Sequence, residues 1–204
     1  MNIFVLDNKT EMIAKYLCDK HIISHILEST QMLSTAHWIM LLNNNGRSIA
    51  DFKRMRDMKE YLYQVTNKKL QPPYKLTHPR HPCTIWTHQT KQNYLWHVDL
   101  CEELCKEYTR RYNKTHKSEQ YVAWFRNNLP LNIKDDVLQD FPICMKDEYK
   151  ISKDPVVCYK FYYIKDKSRF AKWKHTSVPS WYSKGLKKLN SSISCSSNKD
   201  EKSK

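Results

Sequence analysis

The sequence predicts a mainly α-helical protein, built as a single compact multi-helix domain with little or no sheet. Apolar residues recur at helical spacing over long stretches, as at Ile22 and Ile26. Glycine occurs only twice, as Gly46 and Gly185, so the clustered glycines of phosphate-binding loops and dinucleotide-binding turns are missing. Four prolines fall within residues 68–83, which predicts an irregular connection between two helical regions.

Before this connection, helical segments follow an apolar lead-in. The expected elements are a short strand or buried extended run at residues 2–7, a helix from Thr10 to about Cys18, a long helix from Asp19 to about Leu42, and a more basic helix or partly ordered loop over 49–64. Thr10 and Asp19 are residue types that cap helix N-termini. Gly46 is expected to stop the long helix, because glycine readily adopts the left-handed conformation found at helix ends.

After the connection, two long helical regions enclose shorter elements. The expected elements are a helix from about Thr84 to Tyr112 with a break near Thr90 to Gln92, a helix over 118–128 capped by Ser118, a loop from Leu129 to Pro142, and a last helix over 154–173. Pro155 suits the first position of that last helix, where its missing N–H is not needed. The domain is expected to span residues 1–185, and the serine- and lysine-rich residues 186–204 are expected to form a disordered basic tail.

The charge balance favours a polyanionic partner. The formal net charge is +14, and the chain has thirteen tyrosines and six tryptophans. Basic groups can bind phosphates while aromatic rings stack on bases, and residues 107–118 and 159–174 combine both kinds of side chain. DNA is therefore the expected partner, and a solvated lysine-rich surface is the alternative. The candidate DNA-contacting residues are Trp86, Asn93, Trp96, Arg110, Arg111, Lys114, His116, Lys117, Trp173 and Lys174.

Targeting signals and cysteine usage point to the cell interior. The longest apolar run, Trp38 to Leu42, is far shorter than a membrane span, and no secretory signal is visible. The seven cysteines are scattered and odd in number, which favours reduced, mostly buried thiols. We therefore expect an intracellular protein that does not bind a membrane. No cofactor is predicted, and the oligomeric state is left open.

One stretch, CDKHIISHILESTQMLSTAH, places several chemically useful groups on a single predicted helix. Lys20 could attack the sugar C1′ of a nucleotide as an amine if burial lowered its pKa. Asp19 or Glu28 could stabilise the developing sugar cation, and His21 could transfer a proton. The catalytic candidates are therefore Asp19, Lys20, His21 and Glu28. The alternative is that Asp19 caps the helix and Lys20 is its solvated neighbour.

Metal binding is considered at two places and predicted at neither. His21, His25 and Glu28 can share one helix face, and two histidines four residues apart can bind one ion, but no further ligand can be named. The HPC sequence at residues 81–83 resembles half of a zinc deaminase signature. Trp86 stands where that signature has its second cysteine, which argues against deaminase chemistry.

Six separated segments resemble one protein family in the same order: MNIFVLD, CDKHIISHILESTQMLSTAH, THPRHPCTIW, NYLWHVDLCEELCKEYTRRYNKTHKS, MKDEYK and the region from YKFYYIKDKSRFAKWKH to VPSW. The family consists of small, largely helical proteins of tailed phages and large DNA viruses, often labelled pyrimidine-dimer DNA glycosylase. The resemblance covers about residues 1–181. It implies a viral protein that acts on DNA or nucleotides, with Asp19, Lys20, His21 and Glu28 in the most distinctive motif. Ser24 and His25 stand where the family pattern has a lysine and an apolar residue.

The residues and the resemblance together predict a viral DNA base-processing enzyme. A DNA glycosylase or base-modifying protein acting on damaged or modified pyrimidines is favoured, with lyase action if an amine attacks the sugar. Its expected location is the cytoplasm or nucleus of the infected host cell. The alternatives are a nucleic-acid-binding protein without catalysis and a protein that binds a host factor.

Overall fold

The computed structural model describes residues 2–66 and 71–200, with side chains described as far as residue 191. Eight α-helices occur in these ranges: α1 (Thr10–Tyr16), α2 (Asp19–Asn44), α3 (Met55–Val65), α4 (Pro82–Gln89), α5 (Lys91–Tyr112), α6 (Val122–Asn127), α7 (Pro155–Lys165) and α8 (Ser180–Asp200). The described residues contain no β-strand, so the prediction of a mainly α-helical class is confirmed. No helix within these ranges is both long and apolar enough to cross a membrane.

The long helix α2 is the centre of the fold. It has 26 residues, or roughly 39 Å at 1.5 Å per residue, and it packs against α4 and α5, while α1 packs against α5. Ile22, Ile26 and Leu33 of α2 meet Tyr94 and Val98 of α5 in the main core. Each such fully buried apolar side chain contributes about 1.5–3 kcal/mol. The far end of α2 packs with α3 in a separate, smaller core.

The N-terminal residues form a buried extended segment, which is one of the two forms expected for them. Ile3, Phe4, Val5 and Leu6 are all buried, and they join the main core. Since successive residues of the segment are covered on both sides, an apolar run without alternation is needed here. This segment also forms one wall of the candidate functional site.

Two helix starts differ from the predicted caps. The N-cap of α2 is Cys18, and Asp19 is the first helical residue. At this position the negative charge of Asp19 interacts favourably with the positive end of the helix dipole. Ser118 does not begin a helix over 118–128. His116 instead caps a 3₁₀ turn, Lys117–Tyr121, that leads into α6. The hydroxyl of Ser118 is buried and lies 2.9 Å from the hydroxyl of Tyr74. Tyr74 belongs to the proline-rich connection before α4, and this connection packs against the 3₁₀ turn.

The predicted break in the Thr84 to Tyr112 region is confirmed. Thr90 lies between α4 and α5 in an extended conformation, and its hydroxyl accepts the backbone N–H of Asn93 at 3.1 Å. Thr90 is therefore the N-cap of α5. Pro155 is the first residue of α7, as expected, and the Asp154 side chain caps that helix by accepting the N–H of Val156.

The C-terminal region contains a helix that the sequence pattern does not predict. The expected last helix over 154–173 ends earlier, as α7, and α8 begins at Ser180. Tyr182 is buried and Trp181 and Leu186 pack on the main core, so the packed domain extends at least one residue beyond the expected boundary at 185. Residues 192–204, which make up most of the predicted disordered tail, lie beyond the described side chains.

Candidate functional site

The N-terminal end of α2 carries two buried histidine rings. His21 and His25 are 8% and 7% exposed, and their ring centroids are 4.8 Å apart. Phe4 of the extended segment stacks on both rings, at 4.7 Å and 5.2 Å. Because the histidines are four residues apart, one helix face presents both of them to Phe4.

His21 is a neutral hydrogen-bonding group. Its Nδ1 lies 2.5 Å from the hydroxyl of Tyr163, which also accepts a 3.2 Å hydrogen bond from the backbone N–H of Cys18. Burial lowers the pKa of His21 to about 3, and the nearby cations of Lys167 and Lys20 act in the same direction. We assign the Tyr163 hydroxyl as the donor to Nδ1, which leaves the proton of His21 on Nε2. His21 can then donate a hydrogen bond from Nε2 at neutral pH.

His25 has a buried polar atom without a partner. Its Nδ1 lies 3.1 Å from the Ser24 hydroxyl and 3.8 Å from the Glu28 carboxylate, whereas the buried Nε2 has no hydrogen-bond partner. Such atoms are rare and cost about 1–3 kcal/mol each. Burial lowers the pKa of His25 well below its ordinary value of 6.5, so the ring is neutral. Glu28, with a side chain that is 25% exposed, connects this buried pair to the surface.

Three cationic side chains surround one aromatic ring directly beside His21. The Nζ atoms of Lys20 and Lys167 lie 4.6 Å and 6.0 Å from the ring centroid of Phe170, and the guanidinium carbon of Arg169 lies 5.2 Å from it. The Phe170 ring meets the His21 ring edge to face at 5.4 Å. We call these four residues (Lys20, Lys167, Arg169 and Phe170) the Phe170 cluster. Cation–π attraction favours the arrangement, although the like charges repel one another.

Asp19 has a structural role in place of the expected catalytic one. One carboxylate oxygen accepts a 3.3 Å hydrogen bond from Arg111, and the other accepts the backbone N–H of Lys174 at 2.8 Å. The Asp19 N–H in turn donates to the carbonyl of Lys172 at 2.8 Å. Asp19 therefore fastens the start of α2 to residues 172–174, and both of its oxygens are already engaged.

The surroundings of Lys20 differ from those expected of an amine nucleophile. Its side chain is exposed, whereas the amine nucleophile was expected to be buried. Lys20 and Glu28 are eight helical residues apart, or roughly 12 Å along the helix axis. Lys20 and Glu28 could therefore contact only separate parts of a single substrate molecule.

Arg111 is buried and does not form the phosphate contact expected of it. The guanidinium is 0% exposed and donates to Glu107 at 2.7 Å, besides its contact with Asp19. It also donates to three backbone carbonyls near the end of α1, those of Ala14, Lys15 and Leu17. Arg111 thus satisfies the unpaired carbonyls at the C-terminus of α1.

Three further DNA-binding candidates are also buried. Asn93 is 0% and Trp86 3% exposed. Asn93 donates to the Trp86 carbonyl and accepts the N–H of Gln139, both at 2.8 Å, which anchors the loop that follows α6. Trp173 is 9% exposed and donates to the carbonyl of Tyr16 at 3.2 Å. These residues build the core and cannot stack on bases without unfolding it, while Trp96 is only partly buried against that core.

The remaining candidates lie at the surface. Arg110, Lys114, Lys117 and Lys174 are exposed and His116 is half-buried. A ring contact of 5.4 Å between Tyr112 and His175 joins the end of α5 to residues 172–175, and Tyr108 contacts His116 at 5.2 Å. Asp19 in turn fastens residues 172–174 to the start of α2, the helix that carries Lys20.

Six residues of the site are absent from the sequence-based candidates: Phe4, His25, Tyr163, Lys167, Arg169 and Phe170. The last four fall in the basic and aromatic segment 159–174, so that composition signal could have located them. The sequence indicates His25 only as a possible metal ligand. Phe4 carries no chemical signal and is placed by the fold alone.

A separate cavity lies at the other end of α2, with a volume of about 460 Å³. Its lining includes His37, Trp38, Trp124, Asn127 and Asn128. Nε2 of His37 lies 2.8 Å from the hydroxyl of Tyr94, and burial lowers the pKa of His37 to about 4. None of the residues expected to be catalytic lines this cavity.

Comparison with known proteins gave no match: no family model, no curated protein and no solved structure is significantly similar to the chain. The family resemblance of the sequence stays a prediction.

Proposed function

We propose that the chain is a viral DNA base-processing enzyme, of the DNA glycosylase or base-modifying type, that acts on damaged or modified pyrimidines. In this proposal the Phe170 cluster binds a phosphate of the DNA, and the base or its sugar is processed beside His21, His25 and Glu28. The protein would act in the cytoplasm or nucleus of the infected host cell. One observation supports the proposal: a pair of buried histidines, in which one nitrogen of His25 is unpaired and the ring of His21 contacts Phe170, adjoins a cluster of three cations.

The charge of the Phe170 cluster supports a phosphate ligand. Lys20 and Lys167 lie within 6.0 Å of the same ring centroid, so an anion bound near this ring would be attracted by both positive charges. Lys167 is partly neutralised by Asp166 at 2.9 Å, but Lys20 and Arg169 add two further positive charges. Phosphate contacts of this kind position DNA without selecting its sequence.

The groups next to this cluster have chemistry suited to a base or sugar. A carboxylate at Glu28 can stabilise positive charge that develops on the sugar when a glycosidic bond breaks. Neutral His21 can donate a hydrogen bond from Nε2, and the unpaired nitrogen of His25 can exchange one with an extruded base. In the proposal the stabilising carboxylate is Glu28, because it lies 3.8 Å from the ring of His25 and reaches the surface. Lys20 is assigned to binding DNA, with amine attack left to the trapping experiment.

The test uses the full chain and duplexes that carry a modified pyrimidine or an abasic site. Glu28→Gln removes the charge with little change in shape, so release of the modified base should fall by at least about 100-fold, the scale of general acid–base and electrostatic contributions. DNA affinity should stay within about threefold of the unaltered protein. Lys53→Ala, an exposed lysine at the other end of α2, is the control and should change neither quantity.

Borohydride trapping with abasic DNA separates two mechanisms. A covalent adduct that disappears in Lys20→Ala supports amine attack by this lysine, and base release without an adduct supports attack by water. The exposure of Lys20 favours the second candidate function, a nucleic-acid-binding protein without catalysis. If the protein binds DNA with a steep salt dependence yet releases no base and forms no adduct with any tested pyrimidine lesion, this second function replaces the first.

A further inference from the structure

Two cysteines and a histidine from distant parts of the sequence meet beneath the N-terminal segment. His81 and Cys83 lie at the start of α4, and Cys144 lies in the loop between α6 and α7. One ligand atom from each residue lies within 4.8 Å of those of the other two. The sulfur atoms of Cys83 and Cys144 are 3.5 Å apart.

We propose that His81, Cys83 and Cys144 bind a Zn²⁺ ion that fastens the N-terminal segment and the loop containing Cys144 to α4. Two thiolates and one imidazole are a donor set that zinc prefers. Three protein ligands leave the fourth tetrahedral position to a water molecule. On binding, each thiol releases its proton to solvent.

The three side chains can bind this ion after small movements. Zinc–sulfur bonds near 2.3 Å at tetrahedral angles place two sulfur atoms roughly 3.8 Å apart, close to the observed 3.5 Å. A disulfide needs about 2.05 Å, so the two thiols would have to approach much more and lose electrons to an oxidant. The longest separation in the cluster, up to 4.8 Å, requires the imidazole to move inward by roughly 1 Å to reach a bond near 2.0–2.1 Å.

The imidazole can make this movement at low cost. Nδ1 of His81 accepts the backbone N–H of Cys83 at 3.2 Å, which is at the long end for such hydrogen bonds.

Neighbouring groups supply the outer hydrogen bonds that metal sites use. The backbone N–H of Ile3 donates to the Cys83 sulfur at 3.4 Å, a contact that would stabilise a thiolate. The Asn2 side chain bridges the two cysteines: its Nδ2 donates to the Cys144 carbonyl at 2.8 Å, and its Oδ1 accepts a 3.3 Å hydrogen bond from the Cys83 thiol, which is given up when that thiol releases its proton. The hydroxyl of Tyr159 donates to the same oxygen at 3.1 Å. The thiols thus already lie in a polar, hydrogen-bonded setting.

The zinc site has a consequence for the candidate functional site, because Phe4 directly follows Asn2 and Ile3, the residues of the N-terminal segment that contact the two cysteines. Phe4 stacks on His21 and His25. Zinc is therefore expected to stabilise the fold and to hold this wall in place, without contacting substrate.

The test begins with the full chain, reduced and stripped of metal by a chelator that is then removed. Co²⁺ added to this protein should give the visible d–d bands of tetrahedral cobalt and a near-ultraviolet thiolate-to-cobalt band, saturating at one ion per chain. Added Zn²⁺ should abolish both bands and raise the melting temperature, because a ligand that binds only the folded state stabilises it.

Two variants and one control locate the ion. Cys144→Ser removes a half-buried sulfur from a loop and should weaken Zn²⁺ binding by more than the roughly 10- to 100-fold that loss of an outer hydrogen bond costs. His81→Asn removes the imidazole but keeps a good N-cap residue for α4, so it should fold and bind zinc equally poorly. Cys105→Ser, a buried thiol of α5, is the control and should bind as the unaltered protein does.

The proposal fails if no cobalt bands form, or if they persist in both Cys144→Ser and His81→Asn. It also fails if the reduced protein exposed to air forms a Cys83–Cys144 disulfide and the reduced form shows no affinity for Zn²⁺. These readouts do not involve DNA, so they are independent of the proposed base-processing function.

Discussion

Arg110 and Arg111 are neighbours in the sequence with opposite environments, and this contrast yields a sharp prediction. The Arg111 guanidinium is 0% exposed, whereas the side chain of Arg110 is 49% exposed. Replacing Arg111 by alanine removes the partner of Asp19 and leaves three carbonyls near the end of α1 without their donor. Breaking a buried ion pair from one side costs about 3–5 kcal/mol. Because Glu107 keeps Arg110 as a partner, we place the loss near the lower end, at about 3 kcal/mol.

The assay is urea unfolding followed by circular dichroism, with DNA affinity measured at several salt concentrations. Arg111→Ala should lower the free energy of unfolding by about 3 kcal/mol, a large part of the 5–15 kcal/mol typical of a domain, and leave the salt slope of DNA binding unchanged. Arg110→Ala, the matched control, should cost no more than about 1 kcal/mol because its ion pair is partly exposed. It should flatten the salt slope by about one unit if Arg110 contacts a phosphate. The reasoning is refuted if Arg111→Ala loses less than about 1 kcal/mol, or if it flattens the slope while remaining folded.

Three further predictions follow from the site. Lys20→Ala and Arg169→Ala should each flatten the salt slope of DNA binding by about one unit relative to Lys53→Ala, and unchanged slopes for both would place DNA elsewhere. The pKa of His21 is about 3 in the folded protein against an ordinary 6.5, so between these values the unfolded chain binds a proton that the folded one does not. The free energy of unfolding should therefore fall as pH drops below 6.5, by up to about 1.4 kcal/mol per pH unit for this histidine; urea midpoints that stay constant from about pH 7.5 to 4.5 would contradict it. Tyr163→Phe leaves Nδ1 of His21 and the N–H of Cys18 without their shared partner, which should cost about 1–3 kcal/mol in the same unfolding assay.

Local sequence signals predicted much of the fold. The helical spacing along α2 and the hydroxyl of Thr90 act over a few residues, so both the long helix and the break before α5 could be read from the sequence. The helix α8 could not, because its composition is rich in serine and lysine. Its ordering depends on Trp181 and Tyr182 packing on the main core, where Trp181 meets the ring of Tyr16 from the start of the chain.

The candidate site could be predicted only in part, for a related reason. Its location at the start of α2 follows from the density of polar groups on one helix, which is local information. The Phe170 cluster needs Lys20 to meet residues from the other end of the chain, and the sequence alone does not pair them. The burial of Arg111 depends on backbone carbonyls more than 90 positions away in the sequence. The local sequence shows only a basic residue in a basic segment, which predicts an exposed side chain.

Asp19 shows why the most distinctive motif of the sequence has two physical roles. Its carboxylate binds Arg111 of α5 and the backbone of Lys174 at once, and its own N–H binds the Lys172 carbonyl. The two contacts with Lys174 and Lys172 hold residues 172–174 against the start of α2, and with them the preceding turn that carries Phe170. The position of Phe170 in turn determines how closely Lys20 approaches Lys167 and Arg169. Asp19 therefore positions the cationic cluster, and in the proposed function His21 and Glu28 of the same helix act on the DNA.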